Sequence, residues 1–204
     1  GTPRPWLLLA GLSASLAAWT KNEGVLHAGC LAAAIAVWGI PDPRRGTTRA
    51  GPLGWFVAGA LPVGLLLLYF KLRYAPTNFL VAGTPAGEAW SRLTDPLRAV
   101  TVLGALARVP LEVRVWGPLA VGLPAALVVL RGLGPFARSS RIGLTAAGLA
   151  LLGFAGVYLL TPFDIREHIR FSADRLLIQV WPPLLFAAFL ARPAEPDPAP
   201  GPMP

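Results

Sequence analysis

A short charged segment between two apolar runs is the feature that most constrains this chain. Uncharged runs cover residues 144–160 before it and 176–190 after it. Between them, twelve residues hold Asp164, Arg166, Glu167, His168, Arg170, Asp174 and Arg175. Charged side chains are costly inside lipid and are solvated at little cost in water. We therefore expect this segment at a membrane surface, or lining a polar cavity beside one.

The rest of the chain consists largely of further apolar runs. Of its 204 residues, 54% are hydrophobic and 14% are charged, whereas about a quarter are charged in soluble domains. The runs predict an all-α polytopic transmembrane bundle of about six spans within residues 1–192. The Pro-rich residues 193–204 are expected to be a disordered tail. The predicted spans are residues 5–20, 24–40, 52–70, 115–130, 142–160 and 176–190.

The first two runs are separated only by Lys21, Asn22, Glu23 and Gly24. A single helix through residues 5–40 would be roughly 54 Å long, well beyond the hydrocarbon core of about 30 Å. The four residues are therefore predicted to be the turn of a helical hairpin. Each arm is slightly short for a full span, so we expect the turn to lie below the membrane surface. Prolines are expected to kink the third span at Pro62 and to interrupt the sixth at Pro182 and Pro183.

The connection 71–114 is too long to be featureless. Polar and apolar side chains separate onto two faces of a helix there, which predicts an amphipathic helix lying in the interface and ending or bending at Pro110. Trp90 and Trp116 fit an interfacial aromatic belt. The polar set is Arg98, Thr101, Arg108 and Glu112, and the apolar set is Leu97, Val100, Leu103, Ala107 and Leu111.

The net charge of +8 lies mostly on arginines in the connections, which does not indicate a nucleic-acid surface. The short connections 41–51 and 131–141 hold six arginines against Asp42, so they are predicted to be cytoplasmic in a multi-pass protein of the cell (inner) membrane. The Lys21–Gly24 turn, the long connection and the 161–175 segment then face outward. Membrane lipid is an expected partner.

Metal and disulfide chemistry have little support in the sequence. Cys30 is the only cysteine, and His27 and His168 are the only histidines. No cofactor is expected; a divalent cation is conceivable but is not supported by these residues.

Two segments could bind a phosphate. Lys21, Asn22 and Glu23 offer an ammonium, an amide and a carboxylate at the turn, with Glu23 positioned to hold Lys21. The 161–175 segment offers arginines for bidentate contacts and His168 as a donor or acid/base, with Asp164 one turn away to orient it. A plainer interpretation stays open for both: a self-neutralised turn, and a solvated helix in which Asp164 is an N-cap and Asp174 lies in the first turn of the sixth span.

The two segments carry a resemblance. AAWTKNEG followed by an apolar run resembles a stretch of bacterial membrane glycosyltransferases of the GT-C fold, and more narrowly of the dolichyl-phosphate-mannose protein mannosyltransferase-like group, glycosyltransferase family 39. YLLTPFDIREHIRFSADRLLIQVWP is similar to that group's late segment. An aromatic residue often precedes the histidine in the group, whereas Arg166 and Glu167 stand here. The matched residues of the late segment are Tyr158, Asp164, His168, Ser172, Asp174, Arg175, Leu176, Leu177 and Pro182.

The resemblance implies transfer of a sugar from a polyprenyl-phosphate carrier to an acceptor at the extracytoplasmic face. In such enzymes the catalytic base is an acidic residue of the first outer loop, and no equivalent is found here. The chain is therefore expected to be the C-terminal part of a transferase, or a relative that does not catalyse. No catalytic residue is assigned, although His168 could assist. The expected lipid-phosphate set is Lys21, Asn22, Glu23, Asp164, His168, Arg170 and Arg175.

Two readings of another class remain. A lipid-linked-anion transporter or flippase subunit would use the same cations, although no internal repeat with matched broken helices is evident. A non-catalytic membrane scaffold would use its loops only to bind anionic lipid. An assay of sugar transfer from a radiolabelled polyprenyl-phosphate sugar would separate the transferase from both.

Overall fold

The computed structural model describes residues 4–39, 50–75, 85–112, 118–131 and 140–190, which form helices and the short segments that join them, with no strand among them. The all-α prediction is confirmed. The predicted short connections at 41–49 and 132–139, Trp116 and the predicted tail at 193–204 lie outside the described residues. The helices are α1 (Arg4–Thr20), α2 (Asn22–Trp38), α3 (Ala50–Arg73), α4 (Ala86–Thr94), α5 (Pro96–Arg108, followed by a 3-10 turn at Val109–Leu111), α6 (Pro118–Arg131), α7 (Arg141–Leu160) and α8 (Ile165–Leu190).

Two of the described helices are long and apolar enough to cross a membrane, Gly51–Arg73 in α3 and Arg141–Leu160 in α7. A span needs about 20 residues, whereas α1 and α2 have 17 each and α6 has 14. The apolar half of α8 continues from its charged half. Helix length alone therefore supports two spans, and the six-span arrangement stays a prediction.

The predicted hairpin is present, with Lys21 in extended conformation between α1 and α2 (φ −154°, ψ 153°). Gly24 explains how closely the two helices meet. A Cβ there would lie 2.2 Å from the Ala17 carbonyl oxygen, so only glycine fits. The turn lies near the C-terminal end of α3, because Trp19 contacts the Phe70 ring at 5.8 Å. Arg73 ends α3 one turn further on, and the depth of the Lys21 turn relative to a membrane surface stays a prediction.

Helices α1 and α3 pack side by side in the same direction. Arg4 lies over the Trp55 ring at one end, and Trp19 meets Phe70 at the other. Between these contacts the backbones nearly touch at a glycine: a Cβ at Gly59 would lie 2.0 Å from the Leu8 carbonyl oxygen. Small residues at such crossings allow close van der Waals packing without a hydrophobic driving force.

Helix α7 runs antiparallel to α2 on one side. Trp38 Nε1 donates to Thr145 Oγ1 (2.8 Å), and Leu26 packs on Gly153. Helix α8 returns along α7, and their buried contact includes Phe154, Tyr158, Ala173 and Val180. These contacts bring the C-terminal end of α7 and the first turns of α8 to the same end of the bundle as the Lys21 turn.

The predicted interruption of the sixth span is wrong. Helix α8 continues through Pro182 and Pro183 to Leu190, and α3 likewise continues through Pro62. A helix tolerates an internal proline when its other backbone hydrogen bonds and its packing compensate for the lost donor. Asp174 is also not at a helix start, because α8 begins at Ile165.

The amphipathic helix of the long connection is present as α5 and ends at the turn containing Pro110, but its orientation differs from the expected one. It begins at the C-terminal end of α7, where Arg98 binds the Thr161 carbonyl, and its second half lies against the middle of α7. It therefore follows α7 instead of staying flat at the end of the bundle. Its apolar side chains at Leu97, Val100 and Leu103 point outward and are 72%, 69% and 63% exposed.

A candidate anion-binding site at one end of the bundle

The three polar segments meet at one end of the bundle, as the alternation of apolar runs predicts. Arg175 of α8 donates to Glu23 of α2, with Nη2 and Oε1 3.1 Å apart. The long connection reaches the same place, because Arg98 binds the Thr161 carbonyl oxygen at 2.9 Å. The Lys21–Gly24 turn and the 161–175 segment are therefore neighbours in space.

The Glu23–Arg175 ion pair joins the two segments that carry the resemblance. Glu23 lies in the first turn of α2, where the helix dipole stabilises a carboxylate. Its side chain is 24% exposed and that of Arg175 is 50% exposed, so the pair is open to solvent on one side. The expectation that Glu23 holds Lys21 is wrong, because the hairpin turns Glu23 toward α8.

Two lysines lie at the turn that carries Glu23. Lys21 is exposed and has no ion pair within the described part of the chain. Its neighbour Asn22 accepts a hydrogen bond from the Lys71 ammonium through Oδ1. Sequence analysis missed Lys71, since it lies 49 residues away and only the parallel packing of α1 and α3 brings it to the turn. The available signal was a cation directly after an apolar run that ends in aromatic residues.

His168 is held differently from the prediction. Its Nδ1 lies 2.9 Å from Thr161 Oγ1, and its ring meets Tyr158 edge-on at 5.2 Å. Partial burial lowers the pKa of His168, and the positive charge of Arg175 lowers it further. The imidazole is therefore favoured in its neutral form at neutral pH, as a hydrogen-bonding group and not a cation.

Asp164 does not orient His168. Its Oδ1 accepts the backbone N–H groups of Arg166 (2.9 Å) and Glu167 (3.0 Å), which makes Asp164 the N-cap of α8. The plainer interpretation of Asp164 is the correct one, and Thr161 has the orienting position instead. The signal for Thr161 was its place directly after the apolar run, seven residues before the histidine.

Behind His168 lies a buried polar chain. The Tyr158 hydroxyl and Ser172 Oγ are 2.8 Å apart, and Ser172 donates to the His168 carbonyl oxygen at 2.6 Å. Tyr158 is fully buried and Ser172 is 6% exposed. A buried hydroxyl needs such a partner, so these hydrogen bonds fix α8 against α7. They hold the face that carries His168 and Arg175 in one orientation.

Arg170 is not brought to this site. It is exposed, and its guanidinium lies 6.0 Å from the Phe171 ring centroid. Helical spacing places Arg170 with Arg166 on the opposite side of α8 from His168 and Arg175. Of the seven predicted residues, the structure thus gathers Lys21, Asn22, Glu23, His168 and Arg175, uses Asp164 as a cap and leaves Arg170 outside.

Two arginines of the long connection cap the C-terminal end of α7. Arg92 Nη1 donates to the Leu160 carbonyl oxygen at 3.1 Å, and Arg98 Nη2 donates to those of Tyr158 (3.3 Å) and Thr161 (2.9 Å). The last carbonyls of a helix lack partners within it, and cations stabilise that end. The two arginines therefore fix the connection beside the site and are not free to bind a ligand through these groups.

The described residues contain no group of three His, Cys, Asp or Glu side chains placed to hold a metal ion. What remains is a solvent-exposed rim with three cations, one half-buried carboxylate and a neutral imidazole. Such a set can bind a phosphate through charge-assisted hydrogen bonds. The set has no unpaired acid that could act as a general base.

The chain matches no protein-family model, and comparison with curated proteins and with solved structures finds no match.

Proposed function

We propose that the chain is the C-terminal part of a multi-pass membrane glycosyltransferase of the GT-C kind, in which this site binds the phosphate of a polyprenyl-phosphate sugar donor. The observation that carries the proposal is the ion pair between Glu23 and Arg175. It unites the two segments that resemble glycosyltransferase family 39, and sequence distance alone would not bring them together. Chance likeness of two separate stretches does not require them to be in contact.

The charge of the site fits a phosphate in this role. Lys21, Lys71 and Arg175 outnumber Glu23, and all lie at the bundle end that the positive connections predict to be extracytoplasmic. Departure of the carrier phosphate from the sugar leaves negative charge, which preorganised cations stabilise. His168 donates or accepts a hydrogen bond beside them. The activating base would come from an acidic residue that this set does not supply.

The membrane setting of the proposal is supported by α3 and α7, which are long and apolar enough to span a bilayer. In the proposal α1, α2, α6 and the apolar half of α8 complete the bundle, each short helix relying on a slightly thinned bilayer or a recessed turn. Exposed aromatic side chains mark both levels of α3, Trp55 near its start and Tyr74 just past its end. These are about 28 Å apart along a helix, close to one hydrocarbon thickness.

Binding of the carrier lipid tests the proposal directly. The protein in detergent micelles is titrated with a polyprenyl phosphate, and binding is followed by native mass spectrometry. Arg175→Gln and Lys21→Ala should each weaken binding by about fivefold or more, the expected loss of one cation–phosphate contact. Arg73→Gln, which removes a charge from the same end outside the site, is the matched control.

Equal binding by the unmodified protein and all three variants would refute the site.

Sugar transfer from a radiolabelled polyprenyl-phosphate sugar, assayed in membranes that contain the protein, separates the glycosyltransferase from the transporter or flippase. Transfer lost on Arg175→Gln supports the glycosyltransferase. Movement of the labelled lipid across the bilayer without transfer would favour the transporter or flippase subunit.

A further inference from the structure

An apolar groove runs along the opposite side of α8 from the candidate site. It has a volume of about 420 Å³ and lies between the second half of α5, the middle of α7 and α8. Its walls include Leu103 and Leu106 of α5, Gly148 and Ala155 of α7, and Leu177 and Trp181 of α8, and no charged side chain lines it among the described residues.

The surface around the groove is also apolar and exposed. Leu103 is 63% exposed, Leu152 is 70% exposed and Ile178 is 56% exposed. A contiguous exposed apolar surface is unfavourable in water and is compatible with hydrocarbon. The groove lies on α7, one of the two helices able to span a membrane. In the membrane setting of the proposed function, on which this inference rests, its surroundings are lipid chains.

Two arginines stand above the groove on the same face of α8. Positions 166, 170, 173, 177, 180, 181 and 184 recur at steps of one, three or four residues, the spacing of one helix face. The last four line the groove, Ala173 is buried beneath, and Arg166 and Arg170 are exposed. Arg170 precedes Leu177 by seven residues, about 10 Å along the helix. When a lipid acyl chain fills the groove, a cation about 10 Å further along α8 is placed to contact the headgroup of that lipid.

We propose that this face is a binding site for an anionic phospholipid, separate from the polyprenyl-phosphate site. One acyl chain lies in the groove and the phosphate contacts Arg166 and Arg170. Glu167 and Asp174 lie on the adjoining face of α8 and oppose an anion, and the nearby Arg92 and Arg98 are bound to backbone carbonyls. The preference for anionic over zwitterionic lipid therefore depends on Arg166 and Arg170.

Trp181 in the groove wall reports on chain occupancy. The protein is reconstituted into phosphatidylcholine bilayers that contain a minor fraction of chain-brominated phosphatidylglycerol or, in parallel, chain-brominated phosphatidylcholine. The quenching due to Trp181 is the difference between the protein and its Trp181→Phe variant. We expect brominated phosphatidylglycerol to quench more at equal mole fraction. Arg166→Gln together with Arg170→Gln should lower that preference by about fivefold per arginine, the weight of one cation at an anionic surface.

Four further variants separate the effects of the headgroup, the acyl chain and the fold. Arg73→Gln, a charge removed from the same bundle end away from the groove, should leave the preference unchanged, and Asp174→Asn should raise it. Gly148→Leu should reduce quenching by both lipids, because a Cβ there meets open space and the side chain enters the groove. Gly156→Leu, equally open but outside the groove lining, should not.

Equal quenching by the two brominated lipids would overturn the proposal, and so would a preference that survives loss of both arginines. Absence of quenching by either lipid would show the groove filled by another protein segment and would equally overturn it. None of these readouts involves Lys21 or Arg175, so failure here leaves the polyprenyl-phosphate site intact, and the reverse also holds.

Discussion

Glu23 and Arg175 are 152 residues apart in the sequence, and their side chains form an ion pair at 3.1 Å. Two helical hairpins produce this contact: α1–α2 delivers Glu23 to one end of the bundle, and α7–α8 delivers Arg175 to the same end. The pair occupies the place where an anionic ligand would meet Arg175. The Glu23 carboxylate orients the Arg175 guanidinium in the absence of a ligand. Because the pair is partly exposed to solvent, an anionic ligand could replace the carboxylate.

Exchanging the two charges should separate stability from binding. In Glu23→Arg with Arg175→Glu, the ion pair can re-form, and an exposed pair contributes at most about 1 kcal/mol. The unfolding temperature in detergent should therefore fall only slightly, by the lost interaction of the Glu23 carboxylate with the dipole of α2. Polyprenyl-phosphate binding should be lost, because the anion now meets Glu at position 175. Retained binding in the exchanged protein would contradict the role of Arg175.

Removing the Tyr158 hydroxyl should destabilise the α7–α8 contact. In Tyr158→Phe, Ser172 loses its buried partner, and the expected cost is about 1 kcal/mol of unfolding free energy. Denaturant unfolding in mixed micelles measures it. Thr101→Val is a suitable control, since its hydroxyl bonds only the preceding turn at an exposed position. If Tyr158→Phe lowers the unfolding free energy no more than Thr101→Val does, the Tyr158–Ser172 hydrogen bond does not stabilise the α7–α8 contact.

Close helix packing at Gly59 should make this position intolerant of any side chain. A Cβ there would overlap the Leu8 carbonyl oxygen at 2.0 Å, so Gly59→Ala should cost about 1–3 kcal/mol as α1 and α3 separate. At Gly64 of the same helix a Cβ meets nothing within 4 Å, and Gly64→Ala should be neutral or slightly stabilising. Equal unfolding temperatures for the two variants would refute the close α1–α3 crossing.

The lowered pKa of His168 predicts a pH dependence of stability. The unfolded histidine, with its ordinary pKa near 6.5, binds a proton more readily than the folded one. Stability should therefore be constant above that pKa and decrease as the pH falls through it toward the lower folded value. Unfolding temperatures from about pH 7.5 to about pH 5 measure this decrease. His168→Gln should reduce it, and His27→Gln should retain the part due to His168.

Loss of Arg98 should loosen the long connection. With Arg98→Gln the carbonyls of Tyr158 and Thr161 lose their charged donor, and hydrogen exchange in α4 and α5 should accelerate because their anchor on α7 is weakened. Arg108→Gln removes only an exposed ion pair with Glu112 and should leave exchange in α4 and the first turns of α5 unchanged. Unaltered exchange in Arg98→Gln would show that packing alone holds the connection.

The sequence by itself determined the helices, the turn at Lys21 and the common end of the polar segments, because apolar runs of limited length can bury themselves only as helices that reverse at polar residues. Tertiary structure decided the pairings: Glu23 with Arg175 and not Lys21, Thr161 with His168 and not Asp164, Lys71 at the turn, and Arg170 on the far face of α8. Those choices depend on which helix faces meet and at what height. Helical periodicity fixes the faces of each helix but not the neighbour against which each face packs.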